Sequence, residues 1–241
     1  MLQYPRINLH FEDNNDSFYL IRYGKKEHLE NIQRGKIWFS KTSKYRHIEN
    51  INIGDEHEGL SSIHYTNNDT EYSFSHSNIN NGKEIGITRS ISSMWDYPNS
   101  NTYVSCFSYF TAKDIAEKTI FDDSILNEKE WEYVLFILDT KGFVENIMKS
   151  LKKYNPIFNN IKYFDDSVTQ IKLDAFSKSN KFKYQKEIRL AFDLVDESNS
   201  CIKRIDDETI EVTFEKTASV LIPTNGFREG FSIIKINDDK I

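Results

Sequence analysis

Two cysteines, Cys106 and Cys201, are all the chain has: too few for a disulfide framework or a cysteine-bound zinc site, and both sit in strand-like apolar surroundings that suit buried thiols. Proline and glycine are scarce as well, four and nine among 241 residues, which is too little punctuation for a disordered chain. No stretch approaches the ~20 apolar residues of a membrane-spanning helix, and Met1 to Asp13 carries charges without a signal-like apolar run, so a cytoplasmic protein with no membrane partner is expected. The glycine loops GxGxxG and GxxxxGK are missing, as are GxSxG, HExxH and CxxC, and histidines such as His10, His28 and His47 are scattered. ATP hydrolysis, serine hydrolysis and zinc catalysis thereby lose most of their support. A formal charge of −6 argues against coating nucleic acid by charge alone, although a local basic groove stays open.

What the chain does have is apolar material for a core: 38% hydrophobic and 14% aromatic residues in a length that one elaborated domain spans. We read residues 1–241 as a single domain. Phe18 to Tyr23 reads as a buried strand interrupted by Arg22; Lys25 to Arg34 as a helix stopped by Gly35; Ile37 to Ser40 as a second strand. From Lys41 to about Ser93 the pattern dissolves into asparagine, serine and acidic residues, a long polar insertion of loops and short strands. Order returns at Tyr103 to Phe110, where Val104, Cys106 and Ser108 face one side of a strand and Tyr103, Ser105 and Phe107 the other. A strand over Tyr133 to Leu138, a helix from about Gly142 to Tyr154 and a helix over Asp166 to Ser177 follow. Strands are then expected at Phe182 to Leu194, Ile210 to Phe214, Val220 to Pro223 and Phe231 to Ile236. Helices early and strands late make an α+β layout without βαβ alternation.

Three places can carry chemistry. Alternation over Tyr184 to Phe192 puts Gln185, Glu187 and Arg189 on one face, an amide, an acid and a guanidinium able to orient one another; the same residues equally serve as the polar face of a half-buried strand with an ion pair. Arg22, within so apolar a strand, needs an anionic partner, either an internal carboxylate or a ligand phosphate. The acidic runs Asp55, Glu56, Glu58 and Asp122, Asp123 offer hard oxygen ligands for a metal-dependent nuclease, though such runs are commonly solvated loops.

Taken together, an arginine ending the first strand, the serines of Ser105-Cys106-Phe107-Ser108 and the Gln185-Lys186-Glu187 triplet resemble the Arg-Ser-Glu arrangement of the ADP-ribosyltransferase superfamily. The chain also looks like an uncharacterised bacterial family, a domain of unknown function. Its short motifs stand here as Gly35-Lys36-Ile37-Trp38-Phe39-Ser40, Glu58-Gly59, Cys106-Phe107-Ser108 and Lys181 to Arg189. That family has a Met-Trp pair after the CFS motif, whereas Met94-Trp95 precede it here, so no role passes to those two; a full Ser-Thr-Ser is also missing, which leaves Ser105 and Ser108 as alternatives for the structural serine. The resemblance implies a split β-sandwich with flanking helices that clasps NAD as substrate, with no metal. It gives catalytic roles to Glu187, facing the oxocarbenium-like ribose, and to Gln185, orienting the acceptor. NAD contacts fall to Arg22, Tyr23, Ser40, Ser105, Ser108 and Arg189, with Tyr23, Trp38 or Phe39 able to stack on nicotinamide. The acceptor is an unidentified protein or nucleic acid, and the setting that of a toxin or phage-defence effector, with an antitoxin or defence-system partner. The alternative is a binding or regulatory protein of a phage-defence or mobile-element system whose transferase-like fold has lost its chemistry.

Overall fold

The computed structural model describes residues 7–8, 18–46, 62–65, 93–96, 101–111, 113–114, 131–165, 170–196 and 198–224. Among them the chain is an α+β fold, mostly antiparallel sheet with a few flanking helices. In chain order the strands are β1 (Ile7–Asn8), β2 (Phe18–Gly24), β3 (Lys36–Lys41), β4 (Ser62–Tyr65), β5 (Ser93–Asp96), β6 (Thr102–Thr111), β7 (Tyr133–Ile137), β8 (Ile157–Asn160), β9 (Lys162–Phe164), β10 (Gln170–Lys172), β11 (Ser177–Ser179), β12 (Glu187–Asp193), β13 (Ile202–Arg204), β14 (Thr209–Thr213) and β15 (Ser219–Pro223). The helices are α1 (Lys26–Gln33), α2 (Thr42–Arg46) and α3 (Thr140–Ser150), with 3-10 segments at Lys152–Tyr154 and Asn180–Gln185.

One ten-stranded sheet runs β1-β8-β12-β6-β2-β7-β15, and β3, paired with β6, leads a branch to β14 and β13. The branch exists because β6 is long enough to serve two partners on one side. Its C-terminal half pairs with β2, from Phe18↔Thr111 to Ile21↔Ser108, and its N-terminal end with β3, at Ser40↔Val104 and Lys41↔Tyr103. Between those registers lie Ser105, Cys106 and Phe107, where the sheet forks. On its other side β6 pairs along its length with β12, from Glu187↔Ser108 to Asp193↔Thr102.

Directly opposed residues of antiparallel strands point to the same face, so the registers sort the side chains into two layers. One face carries Leu20, Arg22, Ser105, Phe107, Leu135, Ile188 and Leu190, and α1 and α3 cover it with Leu29, Ile32, Phe143 and Ile147, joined by Leu151 just past the end of α3, in the main core. The helix α3 forms here because Phe143, Val144, Ile147 and Met148 recur at helical spacing and because Asp139 caps its start, accepting the Gly142 N–H at 2.9 Å. The other face carries Glu187, Arg189, Ala191, Val104, Cys106 and Ser108. It is covered beside β12 by Ile161, Tyr163 and Phe176, and toward β7 it carries the sheet's own cluster of Ile21, Phe110 and Val134.

Two expectations fail here. The helix read over Asp166 to Ser177 is absent from its described part: β10 pairs with β4, Asp174 turns the chain by accepting the Phe176 N–H at 2.8 Å, and β11 follows. The strand read from Phe182 begins only at Glu187, because 182–185 lie in a 3-10 segment that buries Phe182 and Gln185 three residues apart and ends on Lys186 in the left-handed region (φ 44°). The strand read at Phe231 to Ile236 and most of the polar insertion lie outside the described residues. Within the insertion β4 joins β10 and β5 in a small three-stranded sheet. No helix among the described residues is long and apolar enough to cross a membrane.

Candidate functional site

Glu187 is the first residue of β12 and is almost wholly buried, with 5% of its surface exposed. A carboxylate in such a position needs partners for each oxygen, and two cations supply them. Arg189, two residues on along the same face, donates its Nε–H to Oε1, while Lys178 reaches over from β11 to donate its ammonium to Oε2 at 2.6 Å. Lys178 also donates to Oε1 of Gln185 at 2.8 Å and lies 4.6 Å from the Phe182 ring centroid. The remaining contacts lock the frame. Arg189 donates from a terminal nitrogen to the Ala175 carbonyl at 2.7 Å, and the Glu187 N–H donates to the Tyr163 hydroxyl at 2.9 Å.

The electrostatics follow from this packing. Burial works to raise the Glu187 pKa, but the charges of Arg189 and Lys178 and their hydrogen bonds outweigh it, and the carboxyl is held down at about 2 against an ordinary 4.5. Tyr163 moves the other way: burial, and then the adjacent Glu187 charge, push its phenol well above the ordinary value. The site is therefore an ionised carboxylate clasped by two cations. Among the described residues Oε2 accepts from Lys178 and Oε1 from Arg189, so each carboxylate oxygen is bonded to its own cation.

Local chemistry delivers these groups. Lys178 is carried by a three-residue strand that pairs in parallel with β9 and places Ser179 as the cap of the following 3-10 segment, its hydroxyl accepting the Lys181 N–H. That segment brings Gln185 back beside Glu187. Gln185 thus meets Glu187 through Lys178 and not, as alternation suggested, as its neighbour on a strand. Lys178 itself was not singled out in the sequence: a lysine between two serines has no periodic signature, and only the closing of the chain over β12 makes it an internal cation.

The registers divide the remaining sequence candidates. Ser108 lies directly opposite Glu187 on the neighbouring strand, and Ser40 opposite Val104, so both belong to the Glu187 face, as do Arg189 and Tyr23, the last stacked on Trp131 at 5.2 Å. Arg22 and Ser105 belong to the opposite, helix-covered face. There a terminal nitrogen of Arg22 donates to the Ser105 hydroxyl at 2.5 Å, and the guanidinium sits 5.2 Å from the centroid of the Phe107 ring. The expectation that Arg22, a serine and Glu187 open on one pocket is therefore corrected: the three strands are adjacent in the order β12, β6, β2, but Arg22 and Glu187 point away from each other across the sheet. Of the two aromatics named for stacking beside Tyr23, Phe39 is fully buried in the main core, and Trp38 packs 4.5 Å from His28.

Among the described residues no group of three or more acidic, histidine or cysteine side chains could hold a metal ion; Asp55, Glu56, Glu58, Asp122 and Asp123 lie outside them. Comparison with family models, with curated proteins and with solved structures gives no match.

Proposed function

We propose that the chain is an NAD-dependent ADP-ribosyltransferase with a split-sandwich fold of that type, its reaction taking place on the Glu187 face of the sheet. The observation that carries the reading is the pairing of an ionised, rigidly held Glu187 with Ser108 directly opposite on the neighbouring strand. In such a reaction the glycosidic bond to nicotinamide breaks, nicotinamide leaves with the bonding electrons, and the cationic ribose carbon is captured by a nucleophile of the acceptor. A fixed negative charge beside that carbon stabilises the transition state more than the substrate. Glu187 supplies the charge, Lys178 and Arg189 keep it ionised and in place, Gln185 orients a protein or nucleic-acid acceptor, and Tyr23, Ser40 and Ser108 border the same face. The fork of the sheet at Ser105 to Phe107 supports the split-sandwich comparison. Arg22 and Ser105 take no part in this version of the site.

A second reading is favoured by a specific observation: both oxygens of Glu187 are already bonded to cations, and little of the residue reaches solvent. On that reading the cluster is structural, and the chain is a binding or regulatory protein of a phage-defence or mobile-element system that works through a partner. Incubation with NAD and a cell extract, with nicotinamide measured by chromatography, separates the two. The transferase reading expects release by the natural chain and a loss on the order of a hundredfold in Glu187→Gln, assayed where circular dichroism shows the variant folded. No release by the natural chain, or equal release by both, overturns it.

A further inference from the structure

Between Ala175 and Lys186 the chain carries four lysines and no acidic residue, although acids outnumber bases in the protein as a whole. Two of the four have a countercharge: Lys178 is buried against Glu187, and Lys186 pairs with Asp114. The other two, Lys181 and Lys183, are exposed and form no ion pair among the described residues. Lys162 joins them. It precedes Tyr163 on β9, whose hydroxyl meets the Glu187 N–H, so alternation turns Lys162 the other way, outward. There it is exposed, and it too forms no ion pair among the described residues.

The 3-10 geometry arranges this surface. Residues three apart eclipse one another in such a segment, so Asn180–Gln185 presents three rows. Phe182 and Gln185 make the inner row, and both are buried. Lys181 and Tyr184 make an outer row, a cation followed by a half-buried aromatic ring, and Asn180 and Lys183 make the other. The outer rows are anchored from beneath. The Lys181 ammonium lies 5.0 Å from the centroid of the Phe182 ring, which Lys178 meets at 4.6 Å, and the Tyr184 hydroxyl accepts from Nε2 of Gln185 at 3.4 Å. The outer rows therefore present amines, an amide and a phenol, with the apolar Phe182 ring kept inside.

We infer that Lys162, Lys181, Lys183 and Tyr184 form a docking surface for single-stranded nucleic acid, on the outside of the segments that cover Glu187. Lysines without a protein countercharge neutralise backbone phosphates, and an aromatic ring set among them takes a base by stacking. A duplex fits less well, because three lysines on a chain of formal charge −6 do not supply the run of phosphate contacts that duplex binders make. A membrane surface fits less well too: helices that lie on membranes set large apolar side chains beside their cations, whereas Phe182 is buried here. The surface goes beyond the transferase reading, and its test reads no nicotinamide, so either can fail alone.

Binding of the full chain to fluorescent oligothymidylate and oligouridylate of about ten nucleotides is followed by anisotropy across a salt series. At about −0.7 for each phosphate contact, three lysines give a slope of about −2 in log affinity against log salt. The double variant Lys181→Gln, Lys183→Gln should bind roughly tenfold more weakly at low salt, with a slope near −0.7. Tyr184→Leu should lose about fivefold or more in affinity and keep the full slope, which separates stacking from charge. Whichever oligonucleotide binds more tightly identifies RNA or DNA as the source of the strand. Circular dichroism checks that each variant is folded, and if Tyr184→Leu is not, the exposed lysine pair decides alone. No binding to either oligonucleotide at low salt, a slope unchanged in the lysine variant, or equal or tighter binding to phosphatidylserine vesicles or to polyglutamate would each overturn the assignment.

Discussion

Acid should remove a defined part of this protein's stability, and Glu187 sets its size. The folded carboxyl titrates at about 2 and its ordinary value is 4.5. Because the folded value is the lower one, the unfolded chain binds the proton first. The contribution is then fully present above about pH 4.5 and is lost as the pH falls from there through about 2. At about 1.4 kcal/mol for each unit, the gap amounts to roughly 3 kcal/mol, a large share of the ~5–15 kcal/mol that holds a typical domain folded. Glu187→Gln is the control, because the amide cannot titrate. It starts worse: at pH 7 it leaves Lys178 and Arg189 as buried cations without their anion, which costs about 3 kcal/mol or more. As the natural chain takes up its proton, it comes to resemble the variant.

Urea unfolding at steps between pH 7 and pH 2 therefore gives two stability curves separated by about 3 kcal/mol at neutral pH and converging at the acid end. The difference between the curves is the quantity to read. Asp114, whose burial is outweighed by Lys186 and Thr111 so that it too titrates low, contributes equally to both chains and cancels. A separation that stays constant with pH would refute the reasoning, since it would mean that Glu187 is not ionised within the cluster. No separation at all would mean that the two cations find other partners.

Three further outcomes test the frame around the site. Tyr163→Phe removes the hydroxyl that accepts the Glu187 N–H at 2.9 Å and should cost about 1–3 kcal/mol in urea unfolding, as expected for a buried donor left unmet. Gly35→Ala should lower Tm by several degrees, because Gly35 has φ 81° and an added Cβ would stand 2.4 Å from the Phe214 carbonyl oxygen, where β3 meets the end of β14. Asp139→Ala should cost about 1 kcal/mol and speed amide exchange at the start of α3, where the Gly142 N–H loses its acceptor.

The strands with clean alternation were legible in the sequence. Thr209–Thr213 and Thr102–Thr111 fall where period-two patterning put them, and α1 ends where Gly35 breaks the helix. The illegible parts are those whose partners are distant. In Gln170 to Ala175 the spacing of Ile171 and Ala175 imitates a helix, yet β10 is held by β4, far away in the chain, and a local window contains no trace of that pairing. At Phe182 to Gln185 the same kind of window suggested a strand. The apolar and polar residues there alternate, but the burial runs at a spacing of three, which is the period of a 3-10 turn.

The candidate site was legible strand by strand, but the relation between strands was not. Alternation sets Glu187 with Arg189, and Ser108 with Cys106, on the faces of their own strands; it contains nothing about how β2, β6 and β12 slide against one another, and a slip of one residue exchanges the faces. Ser105 and Ser108 stand three positions apart, an odd offset, so only one of them can share the Glu187 face, whatever the register. The pairing of Glu187 with Ser108 decides which, and the pairing of Ile21 with Ser108 then obliges Arg22, one residue on, to face the other way. With Ser105 on that side as well, an arginine and a serine that resemble half of one catalytic pattern become a unit of their own, bonded to each other and backed by Phe107. A list of matching residue types therefore carries less weight in a sheet than their parity. The two-face arrangement gives Arg22→Met a consequence that a single pocket would not: introduced into both the natural chain and the Glu187→Gln variant, it should leave the pH-dependent separation between their stability curves intact.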